Sequence, residues 1–247
     1  NLLSQLASGS RIVNASDDAA GLAIGTQLKA SVAVYEQAAV NVQQGSSILQ
    51  SADGALAQIG NVLERMLALA AQAASGQVTD SQRTSDIQTE FTQLMEEINS
   101  IVTSTTYAGE SLLGASSILS STSFLVGTAS SHTISVSLSA ADTATLGISA
   151  ASVSSVSAAG AAMSSLTKAI ETVTKQRALV GAYESQFNFA NQVISTNVQN
   201  TQAATSTIMD ADVASVKADL SSADVKVQAA VAALAQAAQL PQNLLRL

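Results

Sequence analysis

Apolar residues recur at alternating steps of three and four over most of this chain, which is the pattern of long amphipathic helices. One heptad seam covers residues 28–49, and a second stripe covers residues 56–69. Between them lies Asp53-Gly54, where we expect the helix to bend. Ser75-Gly76 predicts the end of this helix, because glycine is favoured just past a helix C-terminus. Thr79-Asp80 then caps a second helix, whose apolar face covers residues 87–102 and folds back on the first.

The segment from Thr103 to about Ala151 has a different pattern. Residues 105–109 are β-favouring and rich in turn formers, and residues 124–127 resemble a short strand. Residues 133–139 alternate polar and apolar side chains, as a half-buried strand does. The fold class predicted is therefore mainly α: a long helical rod or coiled-coil hairpin with a small β excursion in the middle of the chain.

Helical periodicity resumes near Val156 and continues to Ile208, with Arg177 placed on the apolar side. Asp210 and Asp212 mark a break before the last helix. Within the terminal segment 206–247 the spacing predicts one apolar stripe that begins at Leu220 and is alanine-rich, with Lys226 and Arg246 as the only charged residues after Val225. The stripe and the chain end supply the candidate assembly residues Leu220, Val227, Val231, Leu234, Leu244 and Leu245.

Composition explains why this last helix needs a partner. Hydrophobic residues make up 47% of the chain but aromatic residues only 3%, so its apolar mass is mostly Ala, Val, Leu and Ile. Large side chains are too few to cover another apolar helix, since each aromatic buries roughly 150–250 Å². We therefore expect the terminal stripe to pack against another copy of the protein.

Charge and cysteine content exclude several classes of function. The net charge of −8 argues against nucleic acid and against an anionic membrane surface as partners. Cysteine is absent, so disulfides and thiolate metal sites are excluded. No apolar run reaches the ~20 residues of a membrane span. The chain opens on Asn1 and not on Met, from which we expect it to be a fragment of a longer protein.

Candidate catalytic chemistry is sparse, and we predict no enzyme activity, no cofactor and no metal site. His132 is the one histidine and lies in a segment rich in Ser and Thr, without a recognisable partner for base catalysis. Asp17-Asp18 is interpreted as the negatively charged start of the first long helix, where the helix dipole favours it. Motifs for zinc, dinucleotide or phosphate binding are not found in the sequence.

Several motifs resemble bacterial flagellin when they are taken in chain order. Residues 8–12 and 16–24 resemble the N-terminal motif of the family, and residues 208–212 resemble the turn before its last helix. Residues 234–237 and 240–245 resemble its closing motif. Ser10 and Ser16 depart from the usual residues, and the long variable insertion of many flagellins is missing. The chain therefore resembles a short flagellin without outer domains.

This resemblance implies a structural subunit that is secreted and self-assembles into the extracellular flagellar filament used for motility. It also implies a division of the chain. Segments 1–18 and 206–247 would form the inner layer of the filament, 19–102 and 152–205 the central helical rod, and 103–151 a small β-rich part. Implied partners are further copies of the chain, an export chaperone, and cap and junction proteins.

The resemblance also implies a contact with an innate immune receptor of the Toll-like class. Arg65, Leu69 and Glu90 match the family positions that this receptor reads. Leu67 and Ala68 stand where strongly recognised flagellins carry charge, which predicts weak recognition. The alternative interpretation is that Arg65 and Glu90 pack against neighbouring subunits while Leu69 belongs to the core.

Two alternative functions remain open at the level of the sequence. One is the hook–filament junction protein, whose motifs fit residues 19–24 and 240–245 less well. The other is a glycan-binding adhesin on the cell surface, for which the absence of Trp and the three Tyr residues offer little support. Binding of the monomer to glycans would distinguish the adhesin from the filament subunit.

Overall fold

A computed structural model describes residues 2–244 and confirms the predicted fold class. The helices are α1 (Leu2–Ser8), α2 (Ala19–Ala74), α3 (Asp80–Gln82), α4 (Gln88–Ser104), α5 (Val156–Met209) and α6 (Val213–Leu244), with a π-helical turn at Arg83–Ile87 and a 3₁₀ turn at Ile118–Ser120. The strands are β1 (Thr106–Tyr107), β2 (Glu110–Ser111), β3 (Thr122–Leu125) and β4 (Thr133–Val136). They form two separate antiparallel pairs, β1–β2 and β3–β4, in the middle of the chain.

Helix α2 is built on a heptad seam whose members are all buried. They follow one another at alternating steps of four and three: Ala38, Val42, Gly45, Leu49, Ala52, Leu56, Ile59, Leu63, Met66, Ala70 and Ala73. The interruption expected at Asp53-Gly54 was wrong, because α2 and its buried seam continue through these residues. One glycine costs a helix only about 1 kcal/mol relative to alanine, which is little against so long a buried seam.

The turn after α2 is held by a buried arginine. Thr79 caps α3 in a capping box with Gln82, as its sequence position predicted. The guanidinium of Arg83, only 4% exposed, donates to the carbonyls of Ala73, Ser75 and Val78. It also pairs with Asp80. The last carbonyls of a helix have no hydrogen-bond partner within it. Arg83 donates to one of these carbonyls at the end of α2 and to two carbonyls of the following turn, and so stabilises both.

The β part alternates buried and exposed positions as expected. In β4, Ile134 and Val136 are buried, while Ser135 is exposed and hydrogen-bonds the Ser123 hydroxyl on β3 at 2.9 Å. The β1–β2 turn places Ala108 at φ 53° and Gly109 at φ 88°. Glycine adopts this left-handed region without a steric cost, which explains its place in so short a turn.

Helix α5 continues the heptad pattern but assigns one position differently from the sequence prediction. Gln176 is buried at 4% exposure, between the seam residues Val173 and Val180. Arg177, expected on the apolar side, is exposed instead and forms a two-pronged ion pair with Asp53 of α2, at 2.9 and 3.2 Å. The hydrogen bond and the negative charge of Asp53 raise the pKa of Arg177.

The chain divides into two compact units. Unit 1 contains the residues up to Val34 and those from Thr196 onward; unit 2 contains Tyr35–Ser195. In unit 2, Phe187 of α5 meets Phe124 of β3 edge-on with ring centroids 5.3 Å apart, beside Gly45 of α2. Together with the Asp53–Arg177 pair, this contact shows that α5 runs antiparallel to α2 within unit 2.

Candidate assembly surface

Unit 1 is tied together by backbone contacts on either side of the α5–α6 break. After α1, Gly9 turns the chain at φ 66°, and Ser10 then forms an isolated antiparallel bridge with Asp210. The amide of Arg11 donates to the Met209 carbonyl at 2.7 Å, and the Ser10 hydroxyl donates to the same carbonyl at 3.0 Å. Ser10 departs from the usual residue of the flagellin motif, and its hydroxyl is used here for a hydrogen bond that joins the two parts of unit 1.

The predicted cap residues are found at the helix starts. Asp18 accepts from the Gly21 amide at 2.8 Å at the start of α2, and Asp17 accepts from the Asn14 amide at 2.9 Å. Asp212 accepts from the amides of Ala214 and Ser215 at the start of α6. Asp18 and Asp212 satisfy first-turn amides that have no partner inside the helix and complement the helix dipole, whereas Asp17 stabilises the turn before α2.

The first part of α6 is partly covered, and the rest is not. Helix α1 packs against α6. On α6, Val216, Leu220 and Ala223 are half-buried, at steps of four and three. From Asp224 to Ala237 every residue is exposed. Leu220, predicted as an assembly residue, therefore already has a partial contact inside unit 1.

The other predicted assembly residues lie on an open apolar stripe. The exposed fractions are 61% for Val227, 62% for Val231 and 72% for Leu234. At about 100° per residue these three side chains share an arc of roughly 60°, in line with Leu220. Leu244 lies in the last turn of α6, and nothing is described of its side chain; Leu245 lies outside the described residues.

Val213 belongs to the same stripe, although the sequence prediction omitted it. It is 52% exposed and lies one heptad before Leu220. The signal was present in the sequence, because seven residues bring a side chain back to nearly the same face of a helix. Val225, 65% exposed, lies on the opposite face, nine residues or about two and a half turns from Leu234.

This stripe is suited to helix–helix association and not to chemistry. Between Lys226 and Arg246 the sequence has no charged residue, and alanines separate the larger side chains. Fully burying a Val or Leu side chain contributes about 1.5–3 kcal/mol, so three of them contribute several kcal/mol per contact. Exposed apolar faces of this kind are typical of surfaces that bind other proteins.

The candidate receptor residues lie in unit 2, and the structure brings two of them together. Arg65 donates from Nε and Nη2 to Oε1 of Glu90, at 2.9 and 2.6 Å, across α2 and α4. Both side chains are about half exposed. Leu69 is 2% exposed and belongs to the core. Arg65 and Glu90 are therefore the accessible part of this set.

Among residues 2–244 the structure contains no cluster of His, Asp and Glu that could hold a metal ion. His132 is exposed in the turn that precedes β4. No helix in this part of the chain is long and apolar enough to cross a membrane.

Both the N-terminal and the C-terminal part of the chain match models of known protein families. Residues 1–117 match the bacterial flagellin N-terminal helical region, and residues 163–247 match the bacterial flagellin C-terminal helical region. The chain is 33% identical to the flagellar filament 30.7 kDa core protein of Treponema maltophilum, over 99% of this chain and 90% of that protein. It is 32% identical to flagellin of Bacillus subtilis, over 99% and 91%.

Solved structures agree with the sequence matches. The crystal structure of Bacillus cereus flagellin superposes with a TM-score of 0.56 at 28% identity, covering 67% of this chain and 94% of that one. A putative flagellar hook-associated protein from Vibrio parahaemolyticus superposes with a TM-score of 0.64 at 15% identity, covering 78% and 99%, which shows a shared fold alone. With both helical regions matched and near-complete alignment to filament proteins, the chain belongs to the bacterial flagellin family.

Proposed function

We propose that this chain builds the flagellar filament by burying the α6 stripe, Val227, Val231 and Leu234, against other copies. As a flagellin it is an exported structural subunit of the extracellular filament. The observation that supports this use of α6 is the exposure of all three side chains on a segment without charge. Leu244 and Leu245 would extend the same contact toward the chain end.

A pair of matched variants tests this role of α6. Leu234→Asp places a charge on the stripe, and Val225→Asp places the same charge on the opposite face at similar exposure. We expect Leu234→Asp to raise the critical concentration for polymerisation at least tenfold, because a buried unpaired carboxylate is strongly disfavoured. We expect Val225→Asp to change it by less than about threefold.

The measurement is sedimentation of polymer after seeding with filament fragments, checked by negative-stain electron microscopy. Thermal unfolding of both monomers should match the parent chain, because neither side chain is buried in the monomer. Equal loss of polymer in both variants would refute the stripe as the specific contact.

For the layers of the filament, we infer that segments 1–18 and 206–247 line its inner part. The central rod, 19–102 and 152–205, and the β-rich part, 103–151, would then surround them. The exposed α6 supports this arrangement, since the segment with the most uncovered apolar surface gains most from an interior position. The same surface, uncovered before assembly, suits capture by an export chaperone and contact with cap and junction proteins.

For the Toll-like receptor, we propose a weak contact through Arg65 and Glu90. Leu69 is buried in the monomer, and Leu67 and Ala68 add no charge, which limits the contact to one ion pair. Receptor-reporter cells treated with monomer should respond weakly, and Arg65→Ala with Glu90→Ala should abolish the response. An unchanged response in the double variant would move the contact elsewhere.

A further inference from the structure

We propose that unit 2 carries a second contact between subunits, in which the acidic outer side of α4 on one copy meets a lysine-flanked apolar groove between α2 and α5 on another. This inference rests on the proposed function as a filament subunit. It concerns surfaces separate from the α6 stripe, and it commits to a second copy of the chain as the occupant of the groove.

The groove has an apolar floor, and two exposed lysines flank it. It encloses about 400 Å³ and is lined by Leu67 of α2 and by Thr167, Ile170, Glu171, Thr174 and Lys175 of α5. Leu67 and Ile170 are half-buried, so each presents part of an apolar side chain to solvent. The Lys175 side chain is 78% exposed, and Lys168 is also exposed, about two turns earlier on the same helix.

The charge around the groove is positive in an otherwise acidic unit. Unit 2 carries 12 Asp and Glu against 5 Lys and Arg, a net charge of −7. Residues 168–175 contain two basic side chains and one acidic one, a net charge of +1, and the nearby Arg177 is already paired with Asp53. Lys175 is only loosely engaged, with its Nζ 3.9 Å from Glu171, and Lys168 has no ion pair among residues 2–244.

The complementary surface is on α4. This helix contains Glu90, Glu96 and Glu97 and no basic residue. Glu90 is already paired with Arg65, whereas Glu96 and Glu97 are exposed and form no ion pair within the described part of the chain. Leu94, half-buried and three residues before Glu97, offers an apolar side chain beside the Glu97 carboxylate.

The two surfaces cannot meet within one subunit. Arg65 contacts α4, and Leu67 lines the groove with α5. Because these two residues of α2 are two positions apart, they point about 200° apart around the helix. The acidic face and the groove therefore lie on opposite sides of α2, and only different copies can bring them together.

A contact between two different patches is the heterologous, head-to-tail kind. Repeated without closure, it produces an open helical polymer. Pairing unlike charges also orients subunits that otherwise repel one another, since a net charge of −7 per unit 2 opposes every other approach. The acidic α4 and the basic groove thus favour one relative orientation of neighbouring copies.

Charge reversal on each surface tests the proposal. One variant carries Lys168→Glu and Lys175→Glu, and the other carries Glu96→Lys and Glu97→Lys, both in the full-length chain. Each alone places like charges across the contact, and we expect each to raise the critical concentration for polymerisation at least tenfold. Mixed at equal amounts, the two variants again pair unlike charges, and we expect polymerisation within about threefold of the parent chain.

A control variant separates pairing from net charge. Glu110→Lys with Glu184→Lys makes the same change in net charge as the α4 variant, at residues outside both surfaces. We expect it to polymerise like the parent chain. Raising ionic strength to about 0.5 M, where screening acts over roughly 4 Å, should reduce the defects of the two reversal variants.

The outcomes are distinguishable. Failure of the parent chain to polymerise would refute the proposed function itself. Polymerisation of both reversal variants at the parent concentration, an inactive mixture, or an equal defect in the control would each overturn the α4–groove contact while leaving the α6 proposal standing. Circular dichroism of the monomers confirms that the variants fold.

Discussion

At the scale of single residues, two glycines of α2 show that the neighbouring side chains determine whether a position can accept a larger residue. Gly45 and Gly54 both lie inside α2 with helical backbone, where glycine is unfavourable. A Cβ at Gly45 would approach Cζ of Phe187 to 2.9 Å, whereas a Cβ at Gly54 would meet nothing within 4 Å. The first glycine makes room for an aromatic ring, and the second has no such role within the subunit.

Alanine at these two glycines should therefore have opposite effects. We expect Gly54→Ala to stabilise the monomer by about 1 kcal/mol through helix propensity. We expect Gly45→Ala to destabilise it by about 1 kcal/mol, because an overpacking cost of roughly 2 kcal/mol exceeds the same gain. The helix-propensity gain is common to both, so the difference measures the contacts of the new methyl group with Phe187 and with Phe124, whose rings pack edge-on.

Thermal unfolding followed by circular dichroism measures both changes, with about 2–4 °C expected per kcal/mol for a chain of this size. An equal rise in Tm for the two variants would show that the Phe187 ring moves aside at no cost.

At the scale of elements, periodicity predicted the helices well because packing and propensity agree along them. The start of α5 at Val156, the break at residues 210–212 and the cap at Thr79 were all confirmed. The sequence located the helical face of α2 at Val42 and Leu49, but it assigned Ala39 and Ser46 to the seam where the structure buries their neighbours Ala38 and Gly45. The small β part was also located, because its alternating pattern differs from the helical one.

The errors at this scale arise where a partner that is distant in sequence determines whether a residue is buried or exposed. Arg177 lies next to the seam position that Gln176 occupies, and spacing alone cannot distinguish the two. The structure selects Gln176 for the core and turns Arg177 toward Asp53. The Gln176 side-chain amide is buried without a hydrogen-bond partner in the described part of the chain, which costs free energy. A prediction from the sequence would therefore not place this residue in the core. Likewise, the burial of Arg83 depends on three carbonyls that only the folded turn brings together.

At the scale of the whole molecule, the sequence already suggested that the last helix lacks cover within one subunit. An aromatic-poor chain has few large side chains to spare, and two of its four phenylalanines, Phe91 and Phe187, are almost fully buried in the core. The surfaces of unit 2 could not be predicted in this way. The groove between α2 and α5 depends on which sides of two helices face each other, and that is a property of packing and not of spacing.

Removing the end of the chain tests whether α6 is needed for folding or only for assembly. We expect deletion of Ser221–Leu247 to leave a soluble, folded monomer that does not polymerise. Residues 224–237 are all exposed, so their removal uncovers little apolar surface, and the core of unit 2 lies within Tyr35–Ser195. The half-buried Val216 and Leu220 remain to pack with α1.

The measurement combines far-ultraviolet circular dichroism with seeded polymerisation. The helical signal should fall only by the share of the deleted residues, and the main unfolding transition should shift by less than about 2 °C, corresponding to under 1 kcal/mol. Leu234→Asp serves as the control, since it blocks assembly while keeping the helix. Loss of the whole helical signal in the deletion would mean that α6 supports the monomer fold, and the exposed stripe would then have a role inside the subunit as well as between subunits.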